Sequence, residues 1–299
     1  MSAASDRADR LALEPLRDMF PRRGAFQSSM LSFREIWNRR ELLNLLVRRE
    51  IRAKYKDSVL GLVWSLIRPL VQLAVYYFII GKVLGVARGT DNYAIYIYSG
   101  LAIWSLFQES VSSGTGSILA NGGIVKKTSL PREIFPLTSL GASLFNFLIQ
   151  LVILIVAVLI ISGFNLSINF MHFPLAVLVV LVWATAFAFF LSAVNVYLRD
   201  VQYLVEVVFM IGFYVSPIIY TWAYVQPHLH GVMEQIYLAN PVTLAIMGTQ
   251  RVLWVTHQPY DWPSYLAYRL LIALAVGLVA VFLAQRFFNR MQRNFAQEI

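Results

Sequence analysis

The sequence of 299 residues contains no cysteine and only four histidines. Without cysteine the chain can form no disulfide bond, no thiol nucleophile and no thiolate metal site. His228 and His230 are the closest pair of histidines, but two ligands at this spacing need a third to hold a metal ion. We therefore predict neither a metal site nor a cysteine-based active site.

Residues that carry covalent chemistry are equally scarce. Charged residues make up 14% of the chain, and no two carboxylates have a spacing typical of a catalytic acid and base. The loop GxxxxGK[ST] is absent, so the chain cannot by itself hold the phosphates of ATP in that way. We predict that the chain has no catalytic residues and binds no cofactor of its own.

Hydrophobic residues, by contrast, make up 58% of the chain, and its mean hydropathy is +0.62. Both values exceed those of soluble domains and predict an all-α integral membrane protein. A helix needs about 20 apolar residues to cross a hydrocarbon layer of roughly 30 Å. The candidate spans are Leu60–Leu84, Tyr93–Ser113, Ile134–Ser162, Phe173–Tyr197, Tyr203–Trp222 and Ser264–Gln285.

The basic residues predict how these spans are oriented. Thirteen of the 25 Lys and Arg residues lie within residues 1–56, and most of the others follow the second, fourth and sixth spans. Because short cytoplasmic loops are enriched in Lys and Arg, we expect both termini in the cytoplasm and the loops 85–92, 163–172 and 223–263 outside. Topology and contact with anionic lipids explain the net charge of +9, so we predict no nucleic-acid partner.

The chain divides into a cytoplasmic N-terminal segment (residues 1–57), a transmembrane domain (58–285) and a cytoplasmic tail (286–299). The first thirty residues are polar and lack the apolar core of a signal peptide, so we expect the mature chain to begin near Met1.

The rest of the N-terminal segment predicts an amphipathic helix in the inner headgroup layer, although Arg40 and Lys54 interrupt its apolar stripe. This stripe spans an arc of about 120° and consists of Phe33, Ile36, Trp37, Leu43, Val47, Ile51 and Tyr55. The helix is either a membrane anchor or, in addition, a contact for a protein partner.

Two connecting segments have patterns of their own. Residues 120–135, ANGGIVKKTSLPREIF, begin with a glycine pair that ends the second span and contain a proline suited to the first turn of the next helix. This pattern favours a short, basic, structured element over a plain loop.

The outer segment 223–263 contains apolar stretches too short to cross a membrane, which predicts interfacial or re-entrant helices. Its Trp and Tyr residues fit an aromatic belt or, alternatively, stacking against carbohydrate.

Three motifs occur along the chain: YKDSVLGLVWSLIRPL (Tyr55–Leu70), NVYLRDVQYLVEVVFMIGFYVSPIIY (Asn195–Tyr220) and NPVTLAIMGTQRVL (Asn240–Leu253). In this order they resemble the permease subunits of type-2 ABC transporters that export polysaccharides. That family includes O-antigen, capsule and teichoic-acid exporters. The resemblance covers residues 33–290, and it is greatest to actinobacterial subunits that export lipid-linked galactan.

The resemblance implies a homodimer of six-helix subunits in the bacterial plasma (inner) membrane, paired with two copies of a separate ATPase that binds ATP and magnesium. The first and fifth spans would line a channel for a polyprenyl-diphosphate-linked polysaccharide of O-antigen or galactan type, and the segment after Trp222 would form two short re-entrant helices. The amphipathic helix would contact the ATPase, as would a loop composed of Lys126, Lys127, Leu130, Pro131, Arg132 and Glu133.

In such a dimer, several side chains become candidates for contact with the substrate. Aromatic rings that could stack against passing sugars, unless they only pack the core, are Tyr76, Tyr77, Trp104 and Tyr214. Basic residues that could attract the lipid diphosphate through charge-assisted hydrogen bonds are Arg48, Arg52 and Arg68. Arg68 stands where family members often have an uncharged polar residue. Its alternative role is an ion pair with Glu109 or Glu206.

Three other functions are weaker alternatives. An ABC exporter of the same fold for a small hydrophobic compound would need a sealed pocket and would lack the first motif. A polytopic enzyme acting on lipid-linked sugars would need an acidic cluster such as DxD at a membrane face, and the sequence has none. A secondary transporter would show two matching halves with interrupted helices, which are also not apparent.

Overall fold

The fold comes from a computed structural model, which describes residues 37–56, 63–83, 85, 90–127, 130–161, 168–254, 260 and 262–299. These residues form helices and connecting turns, with no strand in the described ranges. In chain order the α-helices are α1 Arg40–Tyr55, α2 Trp64–Val75, α3 Tyr93–Ala120, α4 Gly122–Lys127, α5 Ile134–Ile161, α6 His172–Tyr197, α7 Val201–Val215, α8 Trp222–Val225, α9 Val232–Ala239, α10 Pro241–Leu253, α11 Leu266–Met291 and α12 Phe295–Glu298. Helix α2 continues as a π-helix over Tyr76–Val83.

Each predicted span overlaps a helix, although the helix in the fifth span ends at Val215, and the all-α, multi-pass class is confirmed. Within the described ranges, four helical segments are long and apolar enough to cross a membrane by themselves: Leu66–Val83, Ile134–Ile161, His172–Tyr197 and Leu266–Asn294. The predicted second and fifth spans, on α3 and α7, do not meet that criterion. The count of six spans and their orientation therefore remain predictions.

Helix α3 is less apolar than a typical span because it lies in the middle of the helical bundle. It packs against α5, α6 and α10, and most of its residues are buried. Some of its polar side chains form hydrogen bonds within the helix; the Thr115 hydroxyl, for example, donates to the carbonyl oxygen of Val111 at 2.7 Å. A Cβ atom at Gly114 would lie 2.6 Å from the Cβ of Ala188, so the absence of a side chain there lets α3 and α6 approach closely.

Helix α7 has 15 residues because the chain leaves the helix at Ser216, which is extended ahead of Pro217. Carbonyl groups in the segment that follows the end of α7 accept hydrogen bonds from side chains of other helices. The hydroxyl of Tyr96 on α3 lies 3.0 Å from the oxygen of Pro217 and 2.8 Å from that of Tyr220. Gln250 Nε2 on α10 donates to the same Pro217 oxygen at 2.9 Å. Partners of this kind are what a break inside a bundle requires where water is scarce.

The segment 223–263, which is predicted to lie outside, contains the helices α9 and α10, of 8 and 13 residues, which meet at Asn240. The side chain of Asn240 accepts hydrogen bonds from the backbone N–H groups of Val242 and Thr243, and Pro241 occupies the first turn of α10. This is the expected start of a helix for the sequence NPVT. Most of α10 is buried against α3 and α6 although it is too short to cross a membrane. It thus enters the bundle without spanning it.

Helix α1, α4 and the last residues of the chain lie at the same end of the bundle. Arg49 Nη2 on α1 donates to Asn121 Oδ1 at 2.6 Å, just before α4. The side chain of Ile299 reaches Gly122, where an added Cβ would lie 2.6 Å from Ile299 Cγ2. We call this the inner end, since the basic residues predict that these segments are cytoplasmic.

Candidate functional site

Helix α1 is attached to α3 and α5 through a polar contact centred on Glu109, which we call the α1 junction. Lys54 Nζ on α1 forms an ion pair with Glu109 Oε1 on α3. Asn146 Nδ2 on α5 donates to the same oxygen at 2.6 Å, and the Asn146 side chain is only 4% exposed. One carboxylate therefore joins three helices.

A second polar contact lies one turn away on α1. Ser139 Oγ on α5 donates to Glu50 Oε1 at 3.1 Å. Burial raises the pKa of the Glu50 carboxyl above its ordinary value, while the hydrogen bond from Ser139 partly offsets this effect. Apolar packing supports the contact, because a Cβ at Gly141 would lie 2.8 Å from Val47 Cγ2. Helix α1 is thus fixed to the bundle at several points along its length.

The face of α1 that packs on the bundle overlaps the predicted apolar stripe only in part. Phe33 and Ile36 lie outside the described residues, and Trp37 is 71% exposed. The buried side chain is Leu46, which the predicted stripe did not include, while Val47 of the stripe is half-buried against α5. The described part of α1 packs on protein through α5. Lys54, which interrupts the stripe, still faces the bundle because its ammonium group forms an ion pair with Glu109.

The predicted docking residues lie on and after the short helix α4. Lys126 and Lys127 end that helix with exposed side chains. Arg132 is half-buried, with its Cζ atom 5.7 Å from the centre of the Phe295 ring, and burial lowers the pKa of its guanidinium. Leu130 and Pro131 are half-buried as well, whereas Glu133 is only 2% exposed and does not offer its carboxylate to a partner at this surface.

The predicted channel aromatics lie where α2, α3 and α7 meet, but in different environments. Trp104 is 5% exposed and contacts Phe209 and Phe213 edge-on, so within one protomer it is a packing residue. Tyr76 and Tyr77 are half-buried, and the ring of Tyr76 stacks on Phe213 at 5.5 Å. Tyr214 is 61% exposed and is the member of this set with an open ring face.

Tyr214 belongs to a broad apolar surface, which we call the α2–α7 face. On α7 its exposed side chains include Tyr203, Val207, Met210 and Tyr214, and on α2 and its π-helical extension they include Val71, Val75, Phe78 and Ile79. The contacts of Tyr76 with Phe213 join the two helices. An exposed apolar surface of this kind can contact lipid, substrate or a second subunit.

The predicted diphosphate ligands are all exposed. Arg48 and Arg52 lie one turn apart on α1, and Arg68 lies near the start of α2. Among the described residues Arg68 has no ion-pair partner, because Glu109 is paired with Lys54. Glu206 is exposed on α7. The structure thus leaves the Arg68 guanidinium accessible and does not join it to either carboxylate proposed as an alternative partner.

The sequence did not indicate several residues that the structure brings to these sites. Asn146 appears in an apolar helix, and nothing in its local pattern predicts contact with Glu109, 37 positions away. Phe295 looks like one apolar residue in a polar tail, yet it is fully buried beneath Arg132, in the apolar cluster that also contains Val125 of α4. A large aromatic side chain isolated in a polar segment would have been the only available signal.

Comparison with known proteins gives a family match over most of the chain. The family described as ABC-2 type transporter matches residues 41–254, from α1 to the end of α10. A protein of Myxococcus xanthus described as O-antigen export system permease protein RfbA is 26% identical over 266 residues, which is 89% of this chain and 98% of that protein. A protein of the same description from Klebsiella pneumoniae is 26% identical over 258 residues, or 86% and 94% of the two chains.

Proposed function

Because the chain belongs to the ABC-2 type transporter family, we propose that it is the membrane subunit of an exporter that moves a polyprenyl-diphosphate-linked polysaccharide out of the cell. In this proposal two copies form the channel in the plasma membrane, and a separate ATPase supplies the energy from ATP. The exported polymer is of the O-antigen or galactan type. The chain itself performs no covalent chemistry.

The observation that carries this proposal is the extent of the similarity to the O-antigen permeases, which covers nearly the whole of both chains. A shared family domain alone would also fit a permease for a small hydrophobic compound. The relatives are matched from end to end, which supports the same type of cargo. The α2–α7 face supports the dimeric arrangement, because an open apolar surface beside an accessible arginine suits a channel wall shared by two subunits.

Reconstitution tests the proposal directly. The chain and its partner ATPase are purified together and inserted into proteoliposomes that contain a defined polyprenyl-diphosphate-linked glycan. We expect the glycan to cross the membrane only when both proteins and ATP are present. Transport of a small hydrophobic dye in place of the glycan would instead support the alternative exporter, and glycan movement without ATP would contradict the proposal.

Arg68 is proposed to recognise the diphosphate of the lipid carrier as it enters between α2 and α7. We expect Arg68→Gln to weaken binding of polyprenyl diphosphate by about tenfold, since one charge-assisted hydrogen bond contributes ~1.5–3 kcal/mol. Binding is measured with the purified protein in vesicles that contain this lipid. Arg40→Gln, which removes an exposed charge from the start of α1, is the matched control. Unchanged affinity together with lower thermal stability would show that Arg68 is structural.

Tyr214 is proposed to line the channel, and Trp104 provides the comparison with a packing residue. We expect Tyr214→Ala to slow glycan export several-fold without loss of thermal stability, because its ring is open and its removal leaves no cavity. Trp104→Ala should instead destabilise the protein, by about 3–5 kcal/mol for a large buried aromatic ring. Export per folded protein and the melting temperature are measured for both, with Val207→Ala as the control on the same face. Full export by Tyr214→Ala would remove this residue from the pathway.

A further inference from the structure

Residues 292–299 pack on the two segments that carry the predicted docking residues. The side chain of Phe295 is 0% exposed, and its ring lies 5.5 Å from that of Phe288 and 6.1 Å from that of Tyr197. The guanidinium of Arg132 lies above the same ring, with its Cζ atom 5.7 Å from the ring centre. The side chain of Ile299 contacts α4 at Gly122. The tail therefore contacts both the helix before Leu130 and the turn after it.

Helix α4 depends on this packing for its position. With six residues it is too short to be stable on its own, because isolated helices shorter than about 12 residues are marginal in water. Its buried residues are Gly122 and Val125, and Val125 belongs to the same apolar cluster as Phe295 and Phe288. The Tyr197 side chain on α6 holds the start of this region, since its ring contacts that of Phe295 and its hydroxyl donates to the carbonyl oxygen of Met291, the last residue of α11, at 2.8 Å.

We propose that residues 292–299 and α4 form one composite surface for the ATPase, and that Phe295 is the positioning residue that holds α4 in the docking orientation. This inference rests on the proposed function. The partner that fits is a protein surface with carboxylate groups opposite α4, because Lys126 and Lys127 are exposed there, while the tail adds one exposed charge of each sign, Arg293 and Glu298. Movement of the ATPase would then be transmitted through the tail to α6 and α11 as well as through α4 to α3.

The first test replaces Phe295 in the full chain and measures binding of the partner ATPase. We expect Phe295→Ala to weaken ATPase binding by about tenfold, within the usual range of coupling between sites, and to lower the stimulation of ATP hydrolysis. Phe295→Leu, which keeps most of the buried volume, should retain ATPase binding and the stimulation of ATP hydrolysis. Leu283→Ala, at an exposed apolar position on α11 outside the proposed surface, is the control and should behave as the unmodified protein.

The second test uses the absence of cysteine from the chain. A cysteine at Gly122 and another at Ile299 would be close enough for a disulfide, so the Gly122→Cys, Ile299→Cys double variant should cross-link on oxidation. In the Phe295→Ala background we expect this cross-link to recover ATPase binding, and its reduction to abolish that recovery. Recovery by the cross-link would show that Phe295→Ala displaces α4, since a disulfide would not restore binding to a protein that fails to fold.

The outcomes distinguish the inference from the function on which it rests. If the unmodified chain binds no ATPase, the proposed function fails. If the unmodified chain binds, but Phe295→Ala binds equally well, or the cross-link forms and gives no recovery, the composite surface is wrong and the proposed function stands. Failure of the cysteines to cross-link would contradict the contact between α4 and the tail.

Discussion

Exchange of both Lys126 and Lys127 for glutamate is expected to detach the ATPase from the permease. Both side chains are exposed at the end of α4, so the exchange changes the surface charge by four units while it leaves the buried residues Gly122 and Val125 in place. Like charges placed against an acidic partner cost several kcal/mol. We therefore expect affinity for the ATPase to fall by at least about a hundredfold, equivalent to ~2.7 kcal/mol.

The measurement is co-purification and quantitative binding of the ATPase to the detergent-solubilised permease, at several salt concentrations. In the unmodified protein, affinity should decrease as salt rises, because exposed charges are screened beyond roughly 8–10 Å at physiological salt. Arg286→Glu with Arg290→Glu is the matched control, since it makes the same change of charge at exposed positions on α11. If the lysine variant binds with normal affinity and stimulates normal ATP hydrolysis, α4 is not the docking helix.

The positions of the apolar helices could be predicted closely from the sequence. The third span was predicted at Ile134–Ser162 and is found at Ile134–Ile161, and the fourth was predicted at Phe173–Tyr197 and is found at His172–Tyr197. Continuous apolar runs with clear polar ends are the strongest signal in such a chain. The fifth span was placed too far along, to Trp222, because its apolar run continues past Ser216 and Pro217, where the helix ends.

The partners within the sites could not be predicted in the same way. Lys54 looked like an interruption of an amphipathic stripe, since the carboxylate that pairs with it lies 55 positions later. The contact of the tail with α4 joins Ile299 to Gly122, more than 170 positions apart. Periodicity reports which face of a helix is apolar, but it does not report which distant residue meets that face. Pairing across the bundle follows from how the helices pack.

Substitution at the α1 junction is expected to have the second large effect, because a movement of α1 would be transmitted to the bundle through this contact. We expect Glu109→Ala to lower glycan export several-fold while the ATPase still binds to the permease. Removal of the carboxylate deprives both Lys54 and the buried Asn146 of an acceptor, and the loss of a partner for a buried polar group costs about 1–3 kcal/mol. Helix α1 would then be held to α3 less firmly, and its movement would be transmitted less completely.

The size of the effect should depend on which partner is removed. Lys54 is partly exposed, and ion pairs of this kind contribute about 0–1 kcal/mol, so Lys54→Ala should impair export less than Glu109→Ala. Lys56→Ala, at an exposed position two residues away, is the control. The exchanged pair Lys54→Glu with Glu109→Lys should recover export, since rotation of the Asn146 amide can present its oxygen to the ammonium group that the second substitution introduces.

Export and ATP hydrolysis are measured together for each variant in proteoliposomes, so that the ratio of glycan moved to ATP consumed is obtained. A junction that transmits force predicts a lower ratio for Glu109→Ala and at least partial recovery in the exchanged pair, with a coupling energy of about 0.5–3 kcal/mol between the two positions. A purely structural role predicts that yield and melting temperature fall while the ratio per folded protein stays constant. An unchanged ratio in every variant would therefore place the coupling elsewhere, and α4 with the tail would be the remaining route from the ATPase to the bundle.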